Sequence, residues 1–185
     1  MADGLHPVAG VGIDLERVER FAGEPPGPSP AFVKRVFGDA ERAAWNGSPG
    51  AAALCFTAKE AIAKALGGGL RLERGPGVPC RDIEVLVDLG ARSVAVRLRR
   101  EAAERAAVLG ARNGWIWCWY DATAACTVAV LLGDARSAPG AGTPESASYG
   151  AGLAIDTAPV PPSSPSLTRA SADCDSLPYC SSTAL

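Results

Sequence analysis

Histidine is almost missing from this 185-residue chain, which has one, His6. A nucleophile–histidine–acid triad would have to rest on that residue close to the N-terminus, and a site with several histidine ligands is excluded. No apolar run approaches the roughly 20 residues of a membrane span. The opening M-A-D-G-L-H-P has neither the charged nor the apolar region of a secretory signal. Neither sign of charge is in excess. There are 18 Lys plus Arg against 20 Asp plus Glu, a net of -2, which argues against a protein held mainly by nucleic-acid phosphates. The cysteines are Cys55, Cys80, Cys118, Cys126, Cys174 and Cys180, without a C-x-x-C pair among them. In the cytoplasmic setting these absences imply, the expectation is reduced thiols packed as small hydrophobes, not disulfides or zinc ligands.

The totals conceal a change of composition. From Asp134 to Leu185 about two-thirds of positions are Ala, Gly, Pro, Ser or Thr, without apolar periodicity. Such a segment buries too little apolar surface to offset its backbone entropy, so residues 134–185 are expected to be disordered. Removing its two basic and five acidic residues from the totals of 18 and 20 leaves 16 and 15, a net of +1, for residues 1–133. That part is expected to form one small domain, with a modest core that makes association with further copies plausible.

Within it, V-A-G-V-G-I-D-L (Val8 to Leu15) reads as a short buried strand ending in a carboxylate, and E-R-V-E-R-F-A as a helical turn or two. Glu24 to Pro30 is a proline-rich loop. Ala31 to Phe37 and Asp39 to Trp45 read as short amphipathic helices. Ala51 to Leu66 is the strongest helix, rich in Ala and Leu and stopped by Gly67-Gly68-Gly69. Its apolar face carries Leu54, Ala58, Ala61 and Ala65, while Thr57, Glu60 and Lys64 share a polar face. Arg81 to Asp88 and Arg92 to Leu98 form a hairpin pattern. A helix over Arg99 to Leu109 and strands at Trp115 to Tyr120 and Ala125 to Leu132 complete an α+β fold, with one long helix packed on an antiparallel sheet.

Two segments carry candidate chemistry. In V-G-I-D-L-E, Asp14 and Glu16 point the same way if the strand continues, because side chains alternate with period two. Two converging carboxylates suit a hard cation such as Mg²⁺. The competing reading has Asp14 capping the next helix and Glu16 solvated. In F-T-A-K-E-A-I-A-K (Phe56 to Lys64), Glu60 and Lys64 stand at i, i+4, which by itself describes an ordinary surface ion pair. The functional alternative is a metal-binding carboxylate beside lysines that meet phosphate oxygens.

Together, V-G-I-D and F-T-A-K-E-A-I-A-K resemble the paired signatures of the 4′-phosphopantetheinyl transferases. The flanks D-L-E-R-V-E-R-F, F-V-K-R-V-F-G-D-A-E, K-A-L-G-G-G-L and R-D-I-E-V-L-V-D-L-G are similar to the holo-acyl-carrier-protein synthase subgroup. The resemblance runs from about Val8 to Leu132. It implies an enzyme that transfers the phosphopantetheine arm of coenzyme A to a serine of an apo acyl carrier protein, releasing adenosine 3′,5′-bisphosphate. It also implies a homotrimer with coenzyme A bound where two subunits meet. The family's Mg²⁺ ligands fall on Asp14 and Glu60, and Glu16 falls where larger members carry a third acid. Lys59 and Lys64 fall on lysines that face the phosphates, with Gly67 and Gly69 in the adjoining coenzyme A-binding run. Glu60 is the candidate acceptor of the serine proton. Arg17, Arg20 and Arg35, with Lys34 and Arg42, are the expected basic face for an acidic carrier, diluted by Glu16, Glu19 and Glu41. No nucleic-acid or membrane partner is expected.

The chain departs from the subgroup in two places. The usual Ser-x-Ser-His-like segment is replaced by W-I-W-C-W-Y-D, with Tyr120 or Asp121 where the histidine would be. Cys55 stands where Arg is usual, and both changes remove contacts to phosphate. Trp115, Trp117 and Trp119 alternate, which fits core or subunit-interface packing or, alternatively, a platform for adenine. Two rival readings follow: a degenerate module that binds carriers without modifying them, and an oligomeric scaffold of the same fold.

Overall fold

The structure is a computed structural model that describes residues 7–23, 27–91, 93–133, 154–155, 158–159 and 177–183. Strand β1 (Val8–Arg17) runs into a 3-10 turn, Val18–Phe21, and two short helices follow, α1 (Pro30–Val36) and α2 (Asp39–Trp45). Helix α3 (Pro49–Ala65) starts at Ser48, whose hydroxyl accepts the Ala51 N–H, and has proline in its first turn where no donor is needed. Strands β2 (Leu70–Arg71) and β3 (Val78–Pro79) pair in parallel and have no sequence signal. Next come the antiparallel hairpin β4 (Ile83–Asp88) and β5 (Ser93–Leu98), then helix α4 (Arg100–Val108). Strands β6 (Ala111–Tyr120) and β7 (Ala124–Gly133) close the α+β domain.

In the main sheet β7 lies between β1 and β6, and all its pairings are antiparallel. α3 packs along the inner face of this sheet. The contact is close because β1 presents glycine there: a Cβ on Gly12 would stand 1.9 Å from the Ala61 carbonyl oxygen, and one on Gly10 2.0 Å from that of Ala65. Alanines on α3 supply the other half of the fit. The helix is buried around most of its circumference, since α2 and β4 cover the side away from the sheet. Thr57 is therefore not on an exposed polar face, as its helical position suggested. It is fully buried and shares a 2.8 Å hydrogen bond with Thr127 Oγ1 of β7.

The segment expected to be disordered contains three strands: β8 (Ala154–Ile155) on β5, β9 (Ala158–Pro159), and β10 (Leu177–Thr183) antiparallel to β6. β7 satisfies only one edge of β6, so the other edge offers unpaired backbone groups to an added strand irrespective of its composition. The rest of that segment lies outside the described residues. Cys55, Cys80 and Cys118 are buried and Cys126 is partly buried, and no disulfide joins these four.

Gly12→Ala should lower stability by about 1–3 kcal/mol through overpacking against α3, measured as a fall in the urea midpoint. An unchanged midpoint would contradict the close approach of β1 and α3.

Candidate active site

The helix-facing side of β1 is where its carboxylates emerge. Ile13 and Leu15 point outward and are exposed, whereas Asp14 turns toward α3 with its side chain mostly buried. Lys64, one turn after Glu60 on α3, donates to Asp14 Oδ1 at 2.7 Å and to the Ile13 carbonyl at 3.0 Å. Asp14 Oδ2 is buried and has no hydrogen-bond partner among the described residues. Glu60 is half-buried, and its Oε2 accepts the Leu70 N–H at 3.3 Å. That bond forms because Gly67, with φ of +82°, lets the chain reverse after the helix and bring Leu70 back beside it. Gly69 lies alongside the same carboxylate oxygen.

Burial raises the proton affinity of both carboxylates above the usual range. For Asp14 the hydrogen bond from Lys64 opposes the shift; for Glu60 the Leu70 amide opposes it and the nearby Asp14 charge adds to it. The Asp14 bond in turn raises the Lys64 pKa. The site is thus a desolvated carboxylate pair with one lysine beside it, arranged to welcome further positive charge.

Magnesium is the cation the resemblance implies, and the residues fit it. The Asp14 Oδ2 atom is a buried acceptor lacking a donor among the described residues, and both carboxylates are hard oxygen ligands. Mg²⁺ commonly takes only one or two carboxylates and completes its shell with water and substrate phosphates. Glu16 does not complete a triad. Its carboxylate is taken by Arg20, and among the described residues no group of three or more His, Cys, Asp or Glu converges. Glu16 reaches the pair only as a like charge acting through space.

Lys59 is also elsewhere. Its side chain is fully buried on a different side of α3, in an ion pair with Glu41, and it cannot flank a diphosphate. A period of 3.6 separates it from Glu60 but does not say which neighbour is solvent. Glu41, which composition alone made a surface charge, was missed for the same reason: its burial depends on how α2 packs. Cys55 is likewise in the core, its thiol against the Val85 carbonyl. Tyr120 packs over Gly50 at the start of α3. Asp121 is committed to the β6–β7 turn, accepting from Thr123 N, Thr123 Oγ1 and Ala124 N.

Four of the arginines expected to face a carrier are paired with acids: Arg17 with Glu19 at 2.8 Å, Arg35 with Glu73 at 2.6 Å, Arg42 with Asp39, and Arg20 with Glu16. Arg20 also lies against the Phe21, Phe32 and Phe56 rings, its guanidinium carbon 5.1 Å from the Phe56 centroid.

A family model described as the 4′-phosphopantetheinyl transferase superfamily matches residues 10–128, the span that contains every residue of this site. The chain belongs to that superfamily. Among its relatives, a holo-[acyl-carrier-protein] synthase of Streptomyces coelicolor is 37% identical over 129 residues, covering 68% of this chain and 98% of the relative. One of Roseiflexus castenholzii is 40% identical over 100 residues, 54% of this chain and 73% of the relative. The fold of a holo-ACP synthase from Plasmodium yoelii superposes with a TM-score of 0.54 at 22% identity, covering 70% of this chain and 98% of that one. The superfamily's two signatures are therefore joined in space here, as the meeting of β1 with α3.

Because burial raises the folded-state pKa of Glu60, its ionisation penalises folding. The penalty is absent at pH well below the ordinary value of 4.5 and grows as pH rises through the folded value. Glu60→Gln removes it and keeps an acceptor for Leu70 N–H. In chelator-treated protein the variant should have a higher urea midpoint than wild type at pH 7, and the gap should close as pH falls. A lower midpoint at pH 7 would refute the desolvation account.

Proposed function

We propose that the chain is a holo-acyl-carrier-protein synthase, moving the 4′-phosphopantetheine arm of coenzyme A to a serine of an apo acyl carrier protein with Mg²⁺ as cofactor. The observation that carries the proposal is the meeting of Asp14 and Glu60 beside Lys64, with one buried carboxylate oxygen left without a partner among the described residues. In the reaction the serine oxygen bonds to the phosphorus attached to the pantetheine arm. The bond from that phosphorus to the bridging oxygen breaks, the oxygen departs with adenosine 3′,5′-bisphosphate, and the serine proton must be taken up.

Mg²⁺, when bound, neutralises diphosphate charge that repels the nucleophile and stabilises the leaving phosphate. Asp14 and Glu60 are the residues to hold it. Lys64 is 44% exposed and long enough to offer its ammonium to phosphate oxygens as a point charge. Glu60, with its raised proton affinity, is the acceptor for the serine proton. Gly67 and Gly69 leave the coenzyme room to approach next to Glu60, since neither adds a side chain. Arg17, Arg20 and Arg35 are the docking face for the acidic carrier. They exchange their intramolecular acids for those of the partner, at little cost because exposed pairs contribute little.

The outer face of the main sheet supports assembly with further copies. Three cross-strand rows run across it: Val11–Val130–Trp115, Ile13–Val128–Trp117 and Leu15–Cys126–Trp119. Val11, Ile13, Leu15, Trp115 and Trp117 are all exposed there, an apolar patch of the kind that marks an interface. We read it as the contact of a homotrimer, which assigns the tryptophans to packing between subunits and not to adenine. No helix among the described residues is long and apolar enough to cross a membrane. A cytoplasmic location remains part of the proposal.

Incubating the full chain with apo carrier, coenzyme A and Mg²⁺ should add the mass of one phosphopantetheine arm to the carrier. Asp14→Ala and Glu60→Gln should each cost at least about 100-fold in turnover, as expected for loss of charge stabilisation at a phosphoryl group. Carrier binding without a mass gain would instead support a non-catalytic binding module. Arg20→Glu should raise the carrier KM and its salt dependence without changing the coenzyme A KM; an unchanged carrier KM would remove Arg20 from the docking face. Trp117→Lys should shift the chain from trimer to monomer in sedimentation, and a trimer that survives would place the interface elsewhere.

A further inference from the structure

Helix α3 carries a third charged group, Lys59, that the transfer chemistry above does not use. Lys59 is fully buried, and all three of its ammonium protons have acceptors: Glu41 Oε1 at 2.8 Å, the Cys80 carbonyl at 2.9 Å and the Ile83 carbonyl at 2.6 Å. Glu41 is equally saturated, with Oε1 also accepting the Val85 N–H at 2.7 Å and Oε2 the Gly38 N–H at 2.6 Å. The pair therefore ties α3 to the start of α2 and to the first residues of β4.

A buried ion pair is poor evidence for stability, since an apolar pair of similar volume often does as well. What ionised groups with fixed acceptors add is direction. Lys59 and Glu60 are successive residues, roughly 100° apart around the helix, so the rotation that seats one aims the other. The same two residues also hold the two ends of one segment. Glu60 accepts the Leu70 N–H at its beginning, and Lys59 donates to the Cys80 carbonyl at its end. Between them β2 and β3 pair Leu70 with Val78 and close the segment on itself.

We propose that the Lys59–Glu41 pair is a positioning device for the site: it fixes the rotation of α3 and the Leu70–Cys80 segment so that Glu60 faces Asp14. Lys59 and Glu41 act through Glu60 and do not touch substrate. The inference rests on the function proposed above for its kinetic consequence but not for its structural one.

The test compares wild type, Glu41→Gln, and the double variant Lys59→Met/Glu41→Leu, which replaces the pair by apolar side chains. Each is followed by thermal unfolding, by transfer kinetics, and by hydrogen exchange at the Leu70 amide, which reports the bond to Glu60 directly. The double variant should unfold near the wild-type temperature. Its kcat should nevertheless fall by about tenfold or more, the size seen when supporting groups behind a metal ligand are lost, with the coenzyme A KM unchanged. The Leu70 amide should lose protection by a similar factor. Glu41→Gln keeps the shape of the side chain and should show the same two losses if the double variant does not fold. A folded variant with wild-type kcat and a fully protected Leu70 amide would overturn the proposal. If wild type itself transfers nothing, the proposed function fails, and Leu70 exchange alone decides the positioning role.

Discussion

Everything at the site depends on how closely β1 can approach α3. The strand lies against the helix only because Gly10 and Gly12 leave no side chain between it and the Ala61 and Ala65 carbonyls. At that distance Asp14, the next inward-facing residue, reaches Lys64 and comes under the field of Glu60. A strand held off by one methylene layer would place the carboxylate elsewhere. The glycines of V-A-G-V-G-I-D are therefore part of the site's geometry as much as the aspartate that follows them.

The approach also accounts for the electrostatics. Two carboxylates are partly withdrawn from water with Lys64 beside them, and burial raises the proton affinity of both. Such an arrangement costs stability and persists where the charge is needed for binding or catalysis. A cation entering here is attracted by groups already desolvated, so less reorganisation is required of the protein at the moment of reaction.

Much of this was legible in the sequence. The periodicity and glycine stop of α3, the β1 strand and the β4–β5 hairpin each follow from local rules, and the pairing of two signatures predicted that Asp14 and Glu60 would meet. What local rules could not supply was the identity of each neighbour's partner. Lys59 and Lys64 look alike in F-T-A-K-E-A-I-A-K, yet one faces Asp14 and the other is sealed against Glu41, because α2 and β4 cover one side of the helix. Glu16 and Arg20, read as ligand and docking residue, are each other's partner four positions apart. The strand at Leu177–Thr183 was illegible for a different reason: it owes its form to the open edge of β6 and not to its own composition.

Asp14 and Glu60, as proposed, form one divalent-cation site. Titrating the chelator-treated protein with Mn²⁺ and following free metal by electron paramagnetic resonance, with coenzyme A present, tests it most directly. Wild type should take up one Mn²⁺ per chain, and Asp14→Asn and Glu60→Gln should each weaken that binding by about tenfold or more, as loss of a hard oxygen ligand requires. Equal Mn²⁺ affinity in all three proteins would contradict the account.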